Sequence, residues 1–188
     1  MIKSHSIVTL AAAAALTALL GTSCTKTLET TYSNQETKIA TIADNLVSSA
    51  KDSTAAIYYR NGSTVATVVQ GDGEELTADG AVSFYYGGYY ISSTSLSSNT
   101  LFATNDSDLA AAAGWNLSDS TMFQIRTIDL SEDDSLVEGL RNGLIGARSG
   151  EECYVMFSGK HGFGKKKIGT VPMNAALAYH LWIVSVTN

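Results

Sequence analysis

The chain has 188 residues, of which 45% are hydrophobic and 16% are charged, with 12 Lys and Arg against 18 Asp and Glu. So large an apolar fraction excludes a mostly disordered chain, and the net charge of −6 excludes the basic field that an obligate nucleic-acid binder needs. Two cysteines and one proline exclude a disulfide-rich scaffold and a proline-rich repeat. The length fits one domain with an additional segment.

The first 23 residues resemble the signal peptide of a bacterial lipoprotein. Lys3 precedes an apolar run over residues 7–20, which is shorter than the ~20 residues that a membrane span needs. Small residues and then Cys24 follow, although Gly21 stands where such signals usually have leucine. The resemblance implies a lipid on Cys24, contact with the membrane through that lipid, and a location in the bacterial cell envelope. Ordinary cleavage without lipid is the alternative.

The next two segments differ in their periodicity. Residues 24–33 are polar, threonine-rich and without a repeat, which is typical of a tether. From residue 34 to residue 50, apolar side chains recur at helical spacing with lysine and aspartate between them, which predicts an amphipathic helix. The predicted division is therefore a signal at 1–23, a tether at 24–33, an N-terminal helical extension at 34–56 and a domain at 57–188.

The predicted domain consists of short strands and one further helix. The sequence Asn61-Gly62 between two β-rich runs predicts a hairpin. Gly87-Gly88 within a long strand indicates a bulge or a close approach of another segment. Residues 92–120 are irregular, and they either contain a short helix at 108–113 or form a functional flap. The predicted elements are strands at 55–59, 64–69, 81–91, 122–130, 152–158 and 176–186, and a helix at 136–145.

Alternation along the last strand predicts which of its side chains share a face. Leu177, Tyr179, Leu181 and Ile183 fall on one side of the strand, and Ala178, His180, Trp182 and Val184 fall on the other. Both sets contain apolar groups, so both faces of the sheet are expected to be covered. The amphipathic helix at 34–50 is the candidate cover for the face that carries Trp182.

Residues suited to covalent or metal chemistry form no recognisable motif. No two of the three histidines have metal-ligand spacing, and the cysteine left after lipidation, Cys153, cannot complete a zinc site. Cys153 lies in an apolar run and is expected to be a buried core thiol. The basic run at 165–167 indicates a solvated loop, with an anion site as the alternative. The acidic pairs at 133–134 and 151–152 indicate a helix cap and a strand start. We therefore expect neither a metal nor a cofactor.

The order of motifs from residue 136 onward resembles the C-terminal half of the FKBP-type peptidyl-prolyl isomerases. Residues 136–151 are L-V-E-G-L-R-N-G-L-I-G-A-R-S-G-E, where that family has V-I-x-G-W-x-x-G-L-x-x-M-x-x-G-E. An apolar strand follows at 153–158. The chain then has G-F-G at 162–164 and V-P-M-N-A-A-L-A-Y at 171–179, where the family has A-Y-G and I-P-P-N-A-x-L-x-F.

The N-terminal half of the domain is similar to the same family more loosely. G-D-G at 71–73 and V-S-F-Y-Y-G-G at 82–88 are similar to the family's G-x-G and V-x-V-H-Y-T-G, and Leu101-Phe102 is similar to its x-F-D-S-S strand. The resemblance covers about residues 64–187. It implies an α+β fold in which a curved antiparallel β-sheet wraps on a short α-helix, with the amphipathic helix as an extra N-terminal element.

The resemblance also implies a site and a reaction. An X-Pro bond rotates over a barrier of ~20 kcal/mol, and an apolar aromatic pocket that holds proline can lower that barrier without covalent or proton-transfer chemistry. The substrates would be proline-containing polypeptides, and no cofactor would be needed. Carried over residue by residue, the pocket walls are Tyr86, Phe102, Phe123, Leu136, Val137, Leu140, Phe163, Val171 and Tyr179.

Three positions of this pocket depart from the family pattern. Ala103 stands where the family has Asp, Leu140 where it has the Trp of the pocket floor, and Phe163 where it has the Tyr of A-Y-G. The resemblance therefore implies a weak or altered isomerase or foldase for envelope or secreted proteins. The alternatives are a non-catalytic FKBP-like binding or chaperone module, and a structural surface lipoprotein that uses its tyrosine- and serine-rich face for partner contact. The aromatic wall residues would also suit the ordinary core of an α+β sheet. A cavity filled by Trp115 would exclude the isomerase reading, whereas an open cleft would retain it.

Overall fold

A computed structural model of the chain describes residues 6–132 and 135–188, and the side chains from residue 26 onward. The chain divides into two compact units between Asn34 and Gln35. Its helices are α1 (Ser6–Ser49), α2 (Ser107–Ala112) and α3 (Glu138–Leu144), and two short 3-10 helices lie at Ser98–Thr100 and Ser120–Phe123. Its strands are β1 (Ala56–Arg60), β2 (Ser63–Val69), β3 (Ala81–Tyr90), β4 (Leu101–Thr104), β5 (Arg126–Asp129), β6 (Glu152–Phe157) and β7 (Leu177–Thr187).

The first unit contains the N-terminal part of α1. Residues 24–33 are helical, so the prediction of an irregular tether there is wrong in its secondary structure. The hydroxyls of Thr30 and Thr31 donate to the carbonyls of Lys26 and Thr27, one turn earlier, at 3.0 Å each. Because these hydroxyls bond within the helix, a threonine-rich segment can continue it. Among the described residues, no helix has an apolar stretch long enough to cross a bilayer.

The second unit is built around one antiparallel sheet. Within the described residues it has seven strands in the order β1-β2-β6-β7-β3-β4, and β5 pairs with β3 beyond this path. The β1–β2 hairpin closes through Asn61 and Gly62 with φ of 45° and 86°, as the Asn-Gly signal predicts. The antiparallel sheet and the short helix α3 confirm the predicted α+β fold, in which a curved antiparallel sheet wraps on a short helix.

The short helix α3 packs against one face of the sheet at close range. A Cβ atom on Gly139 would collide with the Phe157 ring, and a Cβ on Gly143 would collide with Val155. The two glycines therefore let the helix backbone approach β6 directly. The buried side chains of this core cluster include Val65, Val82, Phe84, Leu140, Leu144, Cys153, Val155, Phe157, Leu177 and Leu181.

Helix α3 begins two residues later than predicted. Val137 is its N-cap with φ −63° and ψ 137°, and its side chain caps nothing. The loop after β6 fixes this start instead, since the Gly139 N–H donates to the carbonyl of His161 at 2.9 Å. The predicted capping pair Asp133-Asp134 lies outside the described residues.

The C-terminal part of α1 covers the opposite face of the sheet, as predicted. Ile39, Ile42 and Ala43 are buried there, together with sheet residues such as Ala66, Met156 and Ala178. The β7 register is also confirmed, because Leu177, Tyr179, Leu181 and Ile183 join the α3 side and Ala178 joins the α1 side. The sheet therefore has one hydrophobic cluster on each face, and α3 lies on the face opposite the C-terminal part of α1.

Two stretches differ from the prediction: one predicted strand is shorter than expected, and one segment predicted to be irregular contains a strand and a helix. The strand predicted at 122–130 is confined to Arg126–Asp129, because Asp119 caps the preceding 3-10 helix through the N–H of Thr121 at 3.0 Å. The irregular stretch at 92–120 contains β4 and α2. The predicted short helix is present as α2, and Asp106 caps it through the N–H of Leu109 at 2.8 Å.

Candidate active site

A cavity of about 190 Å³ lies between the sheet and the N-terminal end of α3. Larger grooves lie beside β1 and beside α1, with volumes of about 550 and 510 Å³. The smaller cavity is the place where the sequence-predicted residues meet. It is lined by Phe84, Tyr86, Phe102, Ala103, Arg126, Ser135, Leu136, Val137, Leu140, Phe163 and Tyr179.

The structure brings seven of the nine predicted wall residues to this cavity. The two exceptions are Phe123 and Val171. Phe123 lies half-buried in the 3-10 helix before β5, because the strand starts only at Arg126. Val171 is 1% exposed and belongs to the core cluster beneath the site.

Sequence reasoning missed Phe84, Arg126 and Ser135 as lining residues. A signal for Arg126 was available in the alternation of β5, because Arg126 and the buried Ile128 are two residues apart and so share a face. The same register pairs Arg126 with Phe84 of β3. The predicted strand began four residues too early, and Phe123 was chosen as the wall residue instead.

Tyr179 on β7 is the centre of the aromatic wall. Its ring centroid lies 5.9 Å from that of Phe102 in an edge-to-face contact, 6.0 Å from Phe157 in a stacked contact and 6.2 Å from Tyr86 in a tilted contact. Such pairs stabilise by about 0.5–1.5 kcal/mol beyond the area they bury. The ring of Tyr179 therefore contacts aromatic side chains from three other strands, β3, β4 and β6.

The hydroxyl of Tyr179 stays protonated under ordinary conditions. Burial raises its pKa well above the usual value for tyrosine, and the neighbouring Tyr86 raises it further, while the nearby guanidinium of Arg126 lowers it. A protonated phenol is a hydrogen-bond donor. The cavity therefore has a polar corner formed by the two tyrosines and Arg126, and apolar walls elsewhere.

Gly88 makes the close packing of this wall possible. A Cβ there would lie 3.1 Å from Cζ of Phe102 and 3.2 Å from Cε1 of Tyr179. The β3–β4 register also shifts between Gly88 and Tyr89. Gly88 pairs with Ala103 and Tyr89 pairs with Leu101, so the extra residue at this shift is Phe102 of β4. The close approach predicted for Gly87-Gly88 is therefore confirmed, whereas the bulge lies opposite the glycines, in β4.

The loop after β6 supplies Phe163, which forms the rim of the cavity. Its ring meets that of Phe102 edge to face at 6.0 Å. The loop is held to α3 by the bond from Gly139 to the carbonyl of His161, and to the segment before β7 by a bond from the Asn174 N–H to the carbonyl of Gly164 at 2.6 Å. The rim is therefore anchored on both sides.

Asn105, just after β4, joins the segments that carry the wall residues. Its side-chain oxygen accepts the N–H of Tyr86 at 2.7 Å, and its amide nitrogen donates to the carbonyls of Phe84 at 3.1 Å and Gln124 at 2.9 Å. The residue is 5% exposed, so these bonds lie away from water. Asn105 thereby fixes β3 and the entry to β5 relative to the end of β4.

Trp115 does not fill the cavity. It packs with Leu109 and Ala113 against the hydrophobic cluster on the α1 side of the sheet. The site is therefore open in the way that the isomerase reading requires. Within the part of the chain that the structure describes, no three His, Cys, Asp or Glu side chains gather as a metal site. Burial raises the pKa of the Cys153 thiol well above its usual value, as expected for a core residue.

Comparison with known proteins finds the fold but not a close relative in sequence. No protein-family model and no curated protein matches the chain. Among solved structures, the N-terminal domain of FKBP42 from Arabidopsis thaliana aligns with a TM-score of 0.52 at 14% identity, over 73% of this chain and 96% of that chain. FkpA from Escherichia coli aligns with a TM-score of 0.50 at 17% identity, over 98% of this chain and 74% of that chain.

A third solved structure gives the same result. A peptidyl-prolyl cis-trans isomerase from Pseudomonas syringae pv. tomato aligns with a TM-score of 0.52 at 14% identity, over 79% of this chain and 95% of that chain. Identities this low carry information about the fold alone. The chain has the fold of the FKBP-type peptidyl-prolyl isomerases.

Proposed function

We propose that this protein is a peptidyl-prolyl isomerase or foldase of the FKBP type, acting on proline-containing polypeptides. The observation that carries the proposal is the open cavity whose aromatic wall is centred on Tyr179 and whose edges are formed by Leu136, Val137 and Phe163. The cavity offers apolar surface for one small ring and a polar corner beside it. These features suit a prolyl residue and the amide bond that precedes it.

The reaction needs only differential binding of a twisted amide. Rotation about the X-Pro bond breaks amide resonance, so the carbonyl is less polar at the top of the ~20 kcal/mol barrier than in either planar isomer. An apolar wall such as Phe102 and Tyr179 disfavours the more polar planar form relative to the twisted form. The polar corner with Arg126 and Tyr179 can hold the peptide in register. No covalent intermediate or proton transfer is required.

A non-catalytic FKBP-like binding or chaperone module is the second candidate. Ala103 and Leu140 line the cavity where the family pattern has Asp and Trp, and Phe163 lacks the hydroxyl of the family's Tyr. The missing hydroxyl alone removes a hydrogen bond worth about 0.5–1.5 kcal/mol. The three changes together favour weak activity, or retained binding with activity lost.

The lipid anchor and the envelope location are part of the proposal. They rest on the signal-like residues 1–23 and on Cys24. Expression in a bacterium with a labelled fatty acid tests them directly. We expect the label on the protein and its loss in Cys24→Ser. Label that persists in Cys24→Ser, or never enters the wild type, would contradict the anchor.

The isomerase proposal is tested by following a short X-Pro peptide by exchange spectroscopy. The wild type is compared with a variant in which Ala103→Asp, Leu140→Trp and Phe163→Tyr are combined. We expect the wild type to accelerate exchange and the triple variant to accelerate it more. A silent wild type beside an active triple variant would favour the binding module. Two folded but silent proteins would overturn the isomerase reading.

A further inference from the structure

The β1 strand forms an open edge of the sheet in the second unit. Within the described residues it pairs with β2 alone and is the last strand of the order that begins β1-β2-β6. Tyr58 is 39% exposed and Tyr59 is 76% exposed. The register with β2 is regular from Ala56 to Arg60, without a bulge. An exposed regular edge presents unpaired backbone groups to any chain that can run alongside it.

The hairpin geometry shows which backbone groups those are. A two-residue turn at Asn61-Gly62 makes Arg60 and Ser63 a hydrogen-bonded pair. Hydrogen-bonded and non-hydrogen-bonded pairs alternate along an antiparallel ladder, so the backbone N–H and C=O groups of Tyr58 also bond to β2. The N–H and C=O groups of Ile57 and Tyr59 consequently point away from the sheet.

β1 lacks two of the protections of an edge strand, a proline and a bulge, whereas the opposite edge has shorter strands and a bulge. β1 contains no proline and has no bulge against β2. Its charged residue, Arg60, points inward, and its guanidinium is already bonded to the carbonyls of Gly143 at 3.0 Å and Gly146 at 3.2 Å. The opposite edge consists of two four-residue strands, β4 and β5, with a bulge at Phe102 of β4. The contrast singles out β1 as an edge left open.

A groove of about 550 Å³ runs beside β1 on the face that carries Tyr58 and Arg60. Ile145 and Arg148 line its other side. Alternate side chains of an added strand would point into this groove, because successive residues of a strand point to opposite faces. The edge therefore offers backbone partners and a receptacle for side chains at the same place.

We propose that β1 is a second polypeptide-binding site, which takes an extended segment of a non-native protein by strand addition. The occupant is identified by the chemistry of the edge: only an extended backbone supplies donors and acceptors at the spacing of Ile57 and Tyr59. The site lies apart from the cavity at Tyr179 and does not depend on proline. It therefore does not depend on isomerase activity.

The test uses the full chain and a short fluorescent peptide of alternating valine and threonine that contains no proline and has no net charge. Tyr59→Pro removes an outward N–H, and Tyr59→Ala removes the same ring but keeps that N–H. We expect Tyr59→Ala to bind within a few-fold of wild type and Tyr59→Pro to bind about tenfold more weakly than Tyr59→Ala. Circular dichroism of both variants checks that they are folded.

A second measurement on the wild type keeps the proposal testable if Tyr59→Pro does not fold. Peptide should slow amide hydrogen exchange at Ile57 and Tyr59 and leave it unchanged at Tyr58 and Arg60, which already bond to β2. Equal affinity of the two variants, or unchanged exchange at Ile57 and Tyr59, would overturn the proposal. Self-association of the wild type through this edge without peptide would also overturn it, since the occupant would then be a second copy.

Discussion

Phe102 and Tyr179 meet edge to face across the wall of the cavity, with ring centroids 5.9 Å apart and ring planes at 86°. The contact links β4 to β7, which lie on opposite sides of β3 in the sheet. Gly88 lies between them on β3, where any side chain would touch both rings. The wall is therefore one packed unit drawn from three neighbouring strands.

Removal of the Tyr179 ring should abolish peptide binding. Tyr179→Ala takes away the contacts with Tyr86, Phe102 and Phe157, and we expect it to lower the free energy of unfolding by about 3–5 kcal/mol. Tyr179→Phe keeps the ring and should bind within a few-fold of wild type. Urea unfolding and peptide titration measure both effects. Unchanged binding by a folded Tyr179→Ala protein would place the binding site elsewhere.

Truncation of Asn105 should loosen the cavity and destabilise the fold. Asn105→Ala leaves the N–H of Tyr86 and the carbonyls of Phe84 and Gln124 without their partner, and we expect a loss of about 2–3 kcal/mol in urea unfolding. Asn116→Ala is the matched control, because Asn116 is exposed and bonds only locally to Ser118. Equal stabilities of the two variants would show that the Asn105 bonds contribute little.

A single added methyl group should report on the packing of α3. Gly143→Ala would push a Cβ into Val155, and we expect it to lower stability by about 1–3 kcal/mol. Gly162→Ala is the control, since its nearest neighbour, Leu177, would be 3.4 Å away. Adding Val155→Ala to Gly143→Ala should relieve the clash, which a double-mutant cycle detects. Additive effects would mean that α3 does not press on β6 at this point.

Stability should fall as the pH drops through the range in which His180 titrates. Burial lowers the pKa of His180 below its usual 6.5, although the bond to Glu152 at 2.7 Å and the charge of Asp106 oppose this shift. The unfolded chain then binds more protons than the folded one below pH 6.5, so stability is retained above that pH and is lost as the pH falls toward the folded pKa.

The same effect can be isolated by substitution. His180→Gln keeps a donor for Glu152 but does not titrate, so the slope of unfolding free energy against pH should be smaller between about pH 5 and about pH 7. Urea unfolding across this range measures the slope. A steeper slope in His180→Gln than in wild type would mean that the sign of the shift is wrong.

The sequence was sufficient for the parts of the fold that short-range patterns determine. Asn61-Gly62 predicted the hairpin, alternation predicted both faces of β7, and helical spacing predicted that the helix at 34–50 covers the sheet. Each of these depends on side-chain periodicity or on turn chemistry within a few residues. The motif order after residue 136 also placed Leu136, Val137, Leu140 and Phe163 correctly at the cavity.

Two of the misses come from long-range contacts, and one comes from a local cap that was overlooked. The start of α3 is set by the carbonyl of His161, which lies 22 residues away from Gly139 in the chain. The start of β5 is set by a cap at Asp119, and that cap moved Phe123 away from the cavity and left Arg126 in its wall. The side chain of Asn105 bonds to β3 and to Gln124, and no pattern in the neighbouring sequence predicts these hydrogen bonds.

The most direct test of the central claim locates a bound proline by NMR. A short X-Pro peptide is titrated into the protein, and nuclear Overhauser effects are recorded from its proline ring. We predict contacts to the rings of Phe102 and Tyr179 and to the methyl groups of Val137. A proline ring that contacts only other surfaces, or no bound state at all, would contradict the assignment of the cavity as the prolyl site.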